Sequence, residues 1–476
     1  MNQSVSAPSL LHPHIPFWVA VLIACVSSFM VVMDGAIVNV ALPSMQTDLH
    51  MSRSQVQWVV DAYLLCLGGF MLLAARASDL YGRKLILQSG LTIFTLASLV
   101  GGLASDPTML LVARAIQGVG ASALATSTLS VIVAVCPSNS AKMSAISAWA
   151  ASSSIASAMG VVIGGALTSL LNWRWVMFVN VPIGLLLMFG VGFCLQSPSK
   201  RKTGAKLDLG GAISVTLGMG MFIFAIMQSV DLGWSSTTVR IAFCASAVLI
   251  SSFVWIQATA AQPLIPLSIF KLHSVRMGNV VVLCLGASLT ASSFFLSIVL
   301  QQLAAYNALD TGLALLPMGL SLALAAIVSR PLMDRGWRRL PFLGGIVSAL
   351  GLIWISVLPV NPVYLTDVLG PTLLIGLGLG LMLMSAAHTA LAGVPSKEAG
   401  VASGLFNTSR QLGAALGIAA LSTLAHEVIA NVPGNTSAVV QLQAYHAAFL
   451  GAAVLSVIAA FTSLALSPLP HKPSTH

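Results

Sequence analysis

The stretch ARASDLYGRKLIL, from Ala75 to Leu87, sets Arg76, Asp79, Arg83 and Lys84 around a Gly82 turn, between two long apolar runs. A weaker version lies far downstream. It reads RPLMDRGWRRL, from Arg330 to Leu340, and carries Asp334, Arg335, Arg338 and Arg339. Asp334 follows Asp79 by 255 residues. At nearly the same spacing, VCPSNSAKMSA (Val135 to Ala145) lines up with GVPSKEAGVAS (Gly393 to Ser403). Two loops echoing in one order divide the chain into two related halves, an arrangement common in secondary transporters.

Composition narrows the class. The chain has 476 residues, of which 57% are hydrophobic and only 7% charged, and its mean hydropathy is +0.95. Soluble domains are about 25% charged, so this is an integral membrane protein. A formal charge of +9 raises the question of nucleic acid. The basic residues are spread through short loops between apolar runs, which marks topology instead. The six cysteines lie in or at the ends of apolar stretches with no CxxC spacing, so neither a metal site nor a disulfide framework is expected. The N-terminus has no Lys or Arg before its first apolar run and no A-x-A site after it, which reads as a retained helix.

A span needs about 20 apolar residues. Fourteen fit, at 17–40, 56–75, 85–104, 108–134, 142–170, 175–196, 209–230, 239–259, 277–302, 311–329, 341–358, 366–391, 400–426 and 444–466. With both termini cytoplasmic, sixteen of the 21 Lys and Arg fall on the inside. Three (Arg53, Arg174, Arg240) fall outside, and two (Arg114, Arg410) lie within spans. That asymmetry favours an even count and cytoplasmic ends. The repeated loops pair the first six spans with the last six. The expected organisation is an all-α membrane protein with an N-terminal six-helix bundle (1–196), a basic linker and inserted helix pair (197–260), and a C-terminal six-helix bundle (261–476).

Four stretches resemble one family. MDGAIVNVALPSM (Met33 to Met45), SDLYGRK (Ser78 to Lys84), ARAIQGVGAS (Ala113 to Ser122) and NWRWVMFVNVPIG (Asn172 to Gly184) are similar to motifs of major facilitator transporters. They resemble in particular the fourteen-helix drug:proton antiporter branch (EmrB/QacA-like). The resemblance implies the major facilitator fold and alternating access. It also implies a gating role for Asp79, Gly82, Arg83 and Lys84, as a latch on the outward-open state. The bland reading of Arg83 and Lys84 is a topology anchor. The chain departs from the family in three places. Ala75 stands where Gly is usual, Leu80 where Arg is usual, and Val161 where the helix-5 motif has Pro, although Gly160, Gly164 and Gly165 of that motif are present.

Ionisable residues inside spans are costly and therefore functional candidates. Counted from the span ends, Asp34, Asp61 and Arg114 share one layer roughly 8–9 Å below one surface. Asp34 is read as the proton site and Arg114 as its switchable partner, since a nearby Arg favours the ionised acid and burial opposes it. The competing reading is a fixed structural ion pair. Asp61 is read as a second proton site or a contact for a cationic substrate. In the second half, Arg410 is read as pairing with helix ends, Glu427 as an exposed helix end and His388 as a packing residue. Tyr63, Trp149, Phe178, Phe294, Phe295 and Tyr306 are candidates to stack on a flat or cationic ligand.

The chain carries no Walker loop, and no nucleophile constellation suggests an enzyme. The reading is a monomeric, multi-pass protein of the bacterial plasma (inner) membrane, driven by the proton gradient without a cofactor. It exports amphipathic, cationic drugs, with protons as the other partner and no nucleic acid. Two alternatives stay open: an exporter of one metabolite or natural product, and a non-transporting membrane sensor on the same scaffold.

Overall fold

The computed structural model describes residues 15–196, 207–260, 263–391, 394, 399–430 and 438–466. The basic linker residues 197–206 and most of the second echo loop (393 and 395–398) lie outside that set, as do the side chains of Asp79 and Asp334.

Among the described residues the chain is helical. It runs α1 (Phe17–Asp48), α2 (Arg53–Tyr81), α3 (Arg83–Gly102), α4 (Pro107–Val135), α5 (Asn139–Leu170), α6 (Trp175–Phe178), α7 (Asn180–Cys194), α8 (Leu209–Leu232) and α9 (Thr237–Thr259). It continues through α10 (His273–Ile298), α11 (Ala308–Asp334), α12 (Leu340–Ile355), α13 (Leu369–Leu391), α14 (Ala399–Ala430) and α15 (Ala438–Leu464). Twelve helical segments among the described residues are long and apolar enough to cross a membrane, α6 and α7 together forming one of them. Two further apolar segments, Ile155–Leu170 and Leu340–Ile355, are shorter.

Local sequence explains the boundaries. Ser52 and Gln55 form a reciprocal capping box that starts α2, satisfying two backbone donors left free at a helix start. Asp106 caps α4, with Pro107 in the first turn. Gly82 has φ 100°, a region that favours glycine, and it separates α2 from α3. α1 differs from the sequence reading, which ended the span at 40. The helix continues to Asp48 with Pro43 inside it.

Contacts divide the chain into two compact units. One runs through Thr216 and adds Ala260–Leu264 and Tyr306–Leu313. The other takes Leu217–Thr259, Ile265–Ala305 and the chain from Ala314 on. In the first, α1 packs along α5, α4 and α7, while α3 packs on α4 and α7. In the second, α10 packs along α14, α13 and α15, while α12 packs on α13 and α15. The same pairings thus recur in the order that the loop repeat sets.

Small residues make the close approaches. A Cβ on Gly120 would lie 2.6 Å from the Phe94 backbone nitrogen, and one on Gly118 would lie 2.5 Å from the Tyr63 carbonyl oxygen. Such contacts bring α3 and α2 tight against α4, as small residues do in lipid.

Candidate functional site

The buried polar centre of the first unit is Asp34. It sits on α1, fourteen residues before the helix ends at Asp48, roughly 21 Å at 1.5 Å per residue. The helix end is thus farther from Asp34 than the end of the apolar stretch, because α1 outruns that stretch. Arg114 lies seven residues into α4. The two side chains meet, with Arg114 Nη1 2.6 Å from Asp34 Oδ2 at exposures of 1% and 0%.

Among the described residues, the other hydrogen bonds to this acid come from neutral amides. Gln117 Nε2 and Asn180 Nδ2 each donate to Asp34 Oδ1 at 2.8 Å. Gln117 is one helical turn after Arg114, and its Oε1 accepts from Arg114 Nη1 at 2.6 Å. Its amide nitrogen also donates to Ser98 Oγ on α3. Arg114 Nε donates to the Val59 carbonyl of α2 at 3.0 Å. The Tyr63 ring lies 4.2 Å under the guanidinium, and its hydroxyl donates to the Val31 carbonyl. A buried charge pair persists only when further hydrogen bonds satisfy both partners, and this one is so satisfied. Helices α1, α2, α3, α4 and α7 all contribute.

Asp61 is buried as deeply, at 0% exposure, yet neither of its carboxyl oxygens has a hydrogen-bond partner. It lies two residues from both Val59 and Tyr63, which turn toward Arg114. At 3.6 residues per turn it falls on roughly the opposite side of α2. The structure therefore brings Asp34 and Arg114 together and leaves Asp61 out of their network.

The other candidates separate from this centre. Lys84 donates to the carbonyls of Gly192 and Leu195 at the end of α7. Gly160 and Gly164 pack against Met33, Ala36 and Ile37 of α1, while Gly165 packs against the Ala308–Leu309 backbone. A Cβ on Gly312 would lie 2.2 Å from the Val161 carbonyl, so the position that usually holds Pro is itself a packing contact. Arg410 is read as pairing with helix ends, several of which (392–393 and 395–398) lie outside the described residues. His388 and Glu427 are exposed. Phe294 and Phe295 are buried against each other and Phe449, Trp149 donates to Thr128, and Phe178 lies on Gly102. Of the aromatic candidates, Tyr63 alone touches the Asp34 network.

Sequence reasoning missed Gln117 and Asn180, which are neutral and so escape a search for intramembrane charge. The spacing of Gln117 from Arg114, one turn along α4, was the available signal.

The sequence profile of the Major Facilitator Superfamily matches residues 24–418. The chain belongs to the Major Facilitator Superfamily. This is a family of transporters, and the chain is a multi-pass membrane protein. It is 35% identical to the cephamycin export protein CmcT of Amycolatopsis lactamdurans, over 94% of this chain and 92% of that one. It is 37% identical to the puromycin resistance protein of Streptomyces alboniger, over 86% and 81% of the two chains. It is 32% identical to the lincomycin resistance protein of Streptomyces lincolnensis, over 84% and 83%. Its superfamily fold is also seen in a crystal structure of a mutant nucleoside transporter NupG. That structure matches with a TM-score of 0.65 at 12% identity, covering 94% of this chain and 99% of that one.

Proposed function

We propose that this superfamily member exports toxic small molecules in exchange for protons. The carrying observation is the Asp34 carboxyl, buried in mid-helix and held by one cation and two neutral amides. Such a group takes up a proton when Arg114 moves away and releases it when Arg114 returns. Asp61, buried and without a donor, is the second acid, for a proton or a cationic substrate. The similarity to export and resistance proteins supports efflux as the direction.

In this reading the two shorter apolar segments also span, which makes fourteen helices with both ends cytoplasmic. α1 to α7 form one six-span bundle and α10 to α15 the other, with α8 and α9 inserted. The protein works as a monomer by alternating access, and Asp79, Gly82, Arg83 and Lys84 latch one of its states. Drug breadth is part of the proposal. A narrower reading, export of one natural product, is favoured by relatives named for single antibiotics.

The test is substrate-induced proton release from the purified protein. The panel holds ethidium, tetraphenylphosphonium, puromycin, lincomycin and a cephamycin. Release by several cations, lost in Asp34→Asn, supports broad proton antiport. Release by one antibiotic alone supports the narrow exporter. Release that persists in Asp34→Asn removes Asp34 from the mechanism.

A further inference from the structure

Asn180 opens α7 immediately after Val179, which separates it from α6. Its side chain is fully buried, and only half of it is used. Nδ2 donates to Asp34 Oδ1, while the amide oxygen has no partner. Leaving a buried acceptor unmet costs about as much as one hydrogen bond to a charged group returns. Stability alone therefore does not call for an asparagine here, since a leucine of similar shape would serve the fold as well. Gln117 is different. Its nitrogen serves both Asp34 and Ser98, and its oxygen takes Arg114.

Asn180 is also placed with care. Trp173 and Arg174, just before α6, both donate to Asp48 at the end of α1, at 2.9 and 2.6 Å. Arg174 donates to the Ala104 carbonyl as well. The segment from Trp173 to Asn180 thus grips α1 at two acids fourteen residues apart. That grip fixes where the amide meets Asp34.

We propose that Asn180 is a positioning residue that orients the Asp34 carboxyl and sets how readily it gives up its proton. The proposal rests on reading Asp34 as the proton site. A hydrogen bond donated to the charged form of an acid favours that form, so Asn180 acts on the side of proton release, as Arg114 does. Few other groups compete among the elements packed on α1. α4 brings Arg114, and α2 brings Tyr63, with Asp61 turned away. The one charged residue of α5 is Lys142, in its first turn, and α6 and α7 carry none.

The experiment is an infrared titration of the protonated-carboxyl band in the purified full-length protein, using wild type, Asp34→Asn, Asn180→Leu and Asn180→Ser. Asp34→Asn assigns the band. In Asn180→Leu its midpoint moves to higher pH by about one unit, a tenfold tighter hold on the proton, the size expected for one bond to a charged group. Thermal unfolding of this variant matches wild type, which a purely structural role does not allow. Should the leucine variant fail to fold, the serine variant decides, with a smaller shift in the same direction. An unmoved or acid-shifted midpoint over an assigned Asp34 band overturns the proposal. Loss of no band in Asp34→Asn overturns the proton-site reading, and this proposal with it.

Discussion

Asp34 and Asp61 lie on neighbouring helices of one unit, both at 0% exposure, and they are opposites in company. Asp34 accepts from Arg114, Gln117 and Asn180, whereas Asp61 accepts from nothing. A buried carboxylate without donors is among the most expensive groups a protein can hold. In a membrane span such a residue is a functional candidate.

Asp61→Asn should therefore leave stability close to wild type, because an amide of the same shape replaces a carboxyl that has no hydrogen-bond partner to lose. The thermal unfolding midpoint in detergent checks this. With a cation that triggers release, the protons released per substrate should fall by about half if Asp61 is the second proton site. A substitution that lowers stability by more than about 1 kcal/mol would mean that Asp61 has a structural partner.

The Asp34–Arg114 pair makes the opposite demand. Removing one partner of a buried pair costs roughly 3–5 kcal/mol, since it strands the other charge. Arg114→Leu should be the most damaging single change in the first unit. Asp34→Asn should cost less, because Gln117 and Asn180 can still bond an amide oxygen. The double variant Asp34→Leu/Arg114→Leu should recover most of the stability and none of the transport. A double-mutant cycle on unfolding midpoints, paired with proton release, separates the two effects.

The fold was legible because its signals are long. Runs of about 20 apolar residues, basic loops between them and an echo at 255 residues survive errors at any one position. The Asp34–Arg114 meeting was legible because charges stand out in apolar helices. The length of α1 was not, since it stays helical through Pro43 to Asp48 and hydropathy stops sooner. The amides at Gln117 and Asn180 were hidden for a different reason. A neutral side chain on an apolar helix looks like packing until three-dimensional proximity gives it a charged partner. The NWRW segment was read only as a family mark. Its Trp173 and Arg174 bind the far end of α1.

Lys84 makes a capping contact. Its ammonium reaches the Gly192 and Leu195 carbonyls, which have no helical partner at the end of α7. A cation there also meets the negative end of the helix dipole, worth roughly 0.3–1 kcal/mol when exposed. Lys84→Met should loosen the end of α7. The expected result is a loss of about 1 kcal/mol and faster amide exchange at residues 192–195. Lys84→Arg should retain most of the effect. If Lys84→Met leaves exchange unchanged there, the capping contact carries no energy.

The helix-5 glycines give the sharpest steric test. A Cβ built on Gly165 would sit 2.3 Å from the Ala308 carbonyl and 2.7 Å from the Leu309 Cα, both backbone atoms that cannot rotate aside. Gly160 meets Ala36 and Met33 at 2.8 and 3.0 Å, where the first contact is a side-chain methyl. Helix packing in lipid depends on such approaches. Gly165→Val should therefore push the start of α11 off α5, at a cost of roughly 1–3 kcal/mol or more, the range for overpacking. Gly160→Ala should be milder. Cross-linking of cysteines placed at Ser169 and Leu309, whose hydroxyl and backbone nitrogen are 3.1 Å apart, reads the displacement directly. Efficient cross-linking in Gly165→Val, equal to that in the parent, would mean that α5 and α11 do not need this contact.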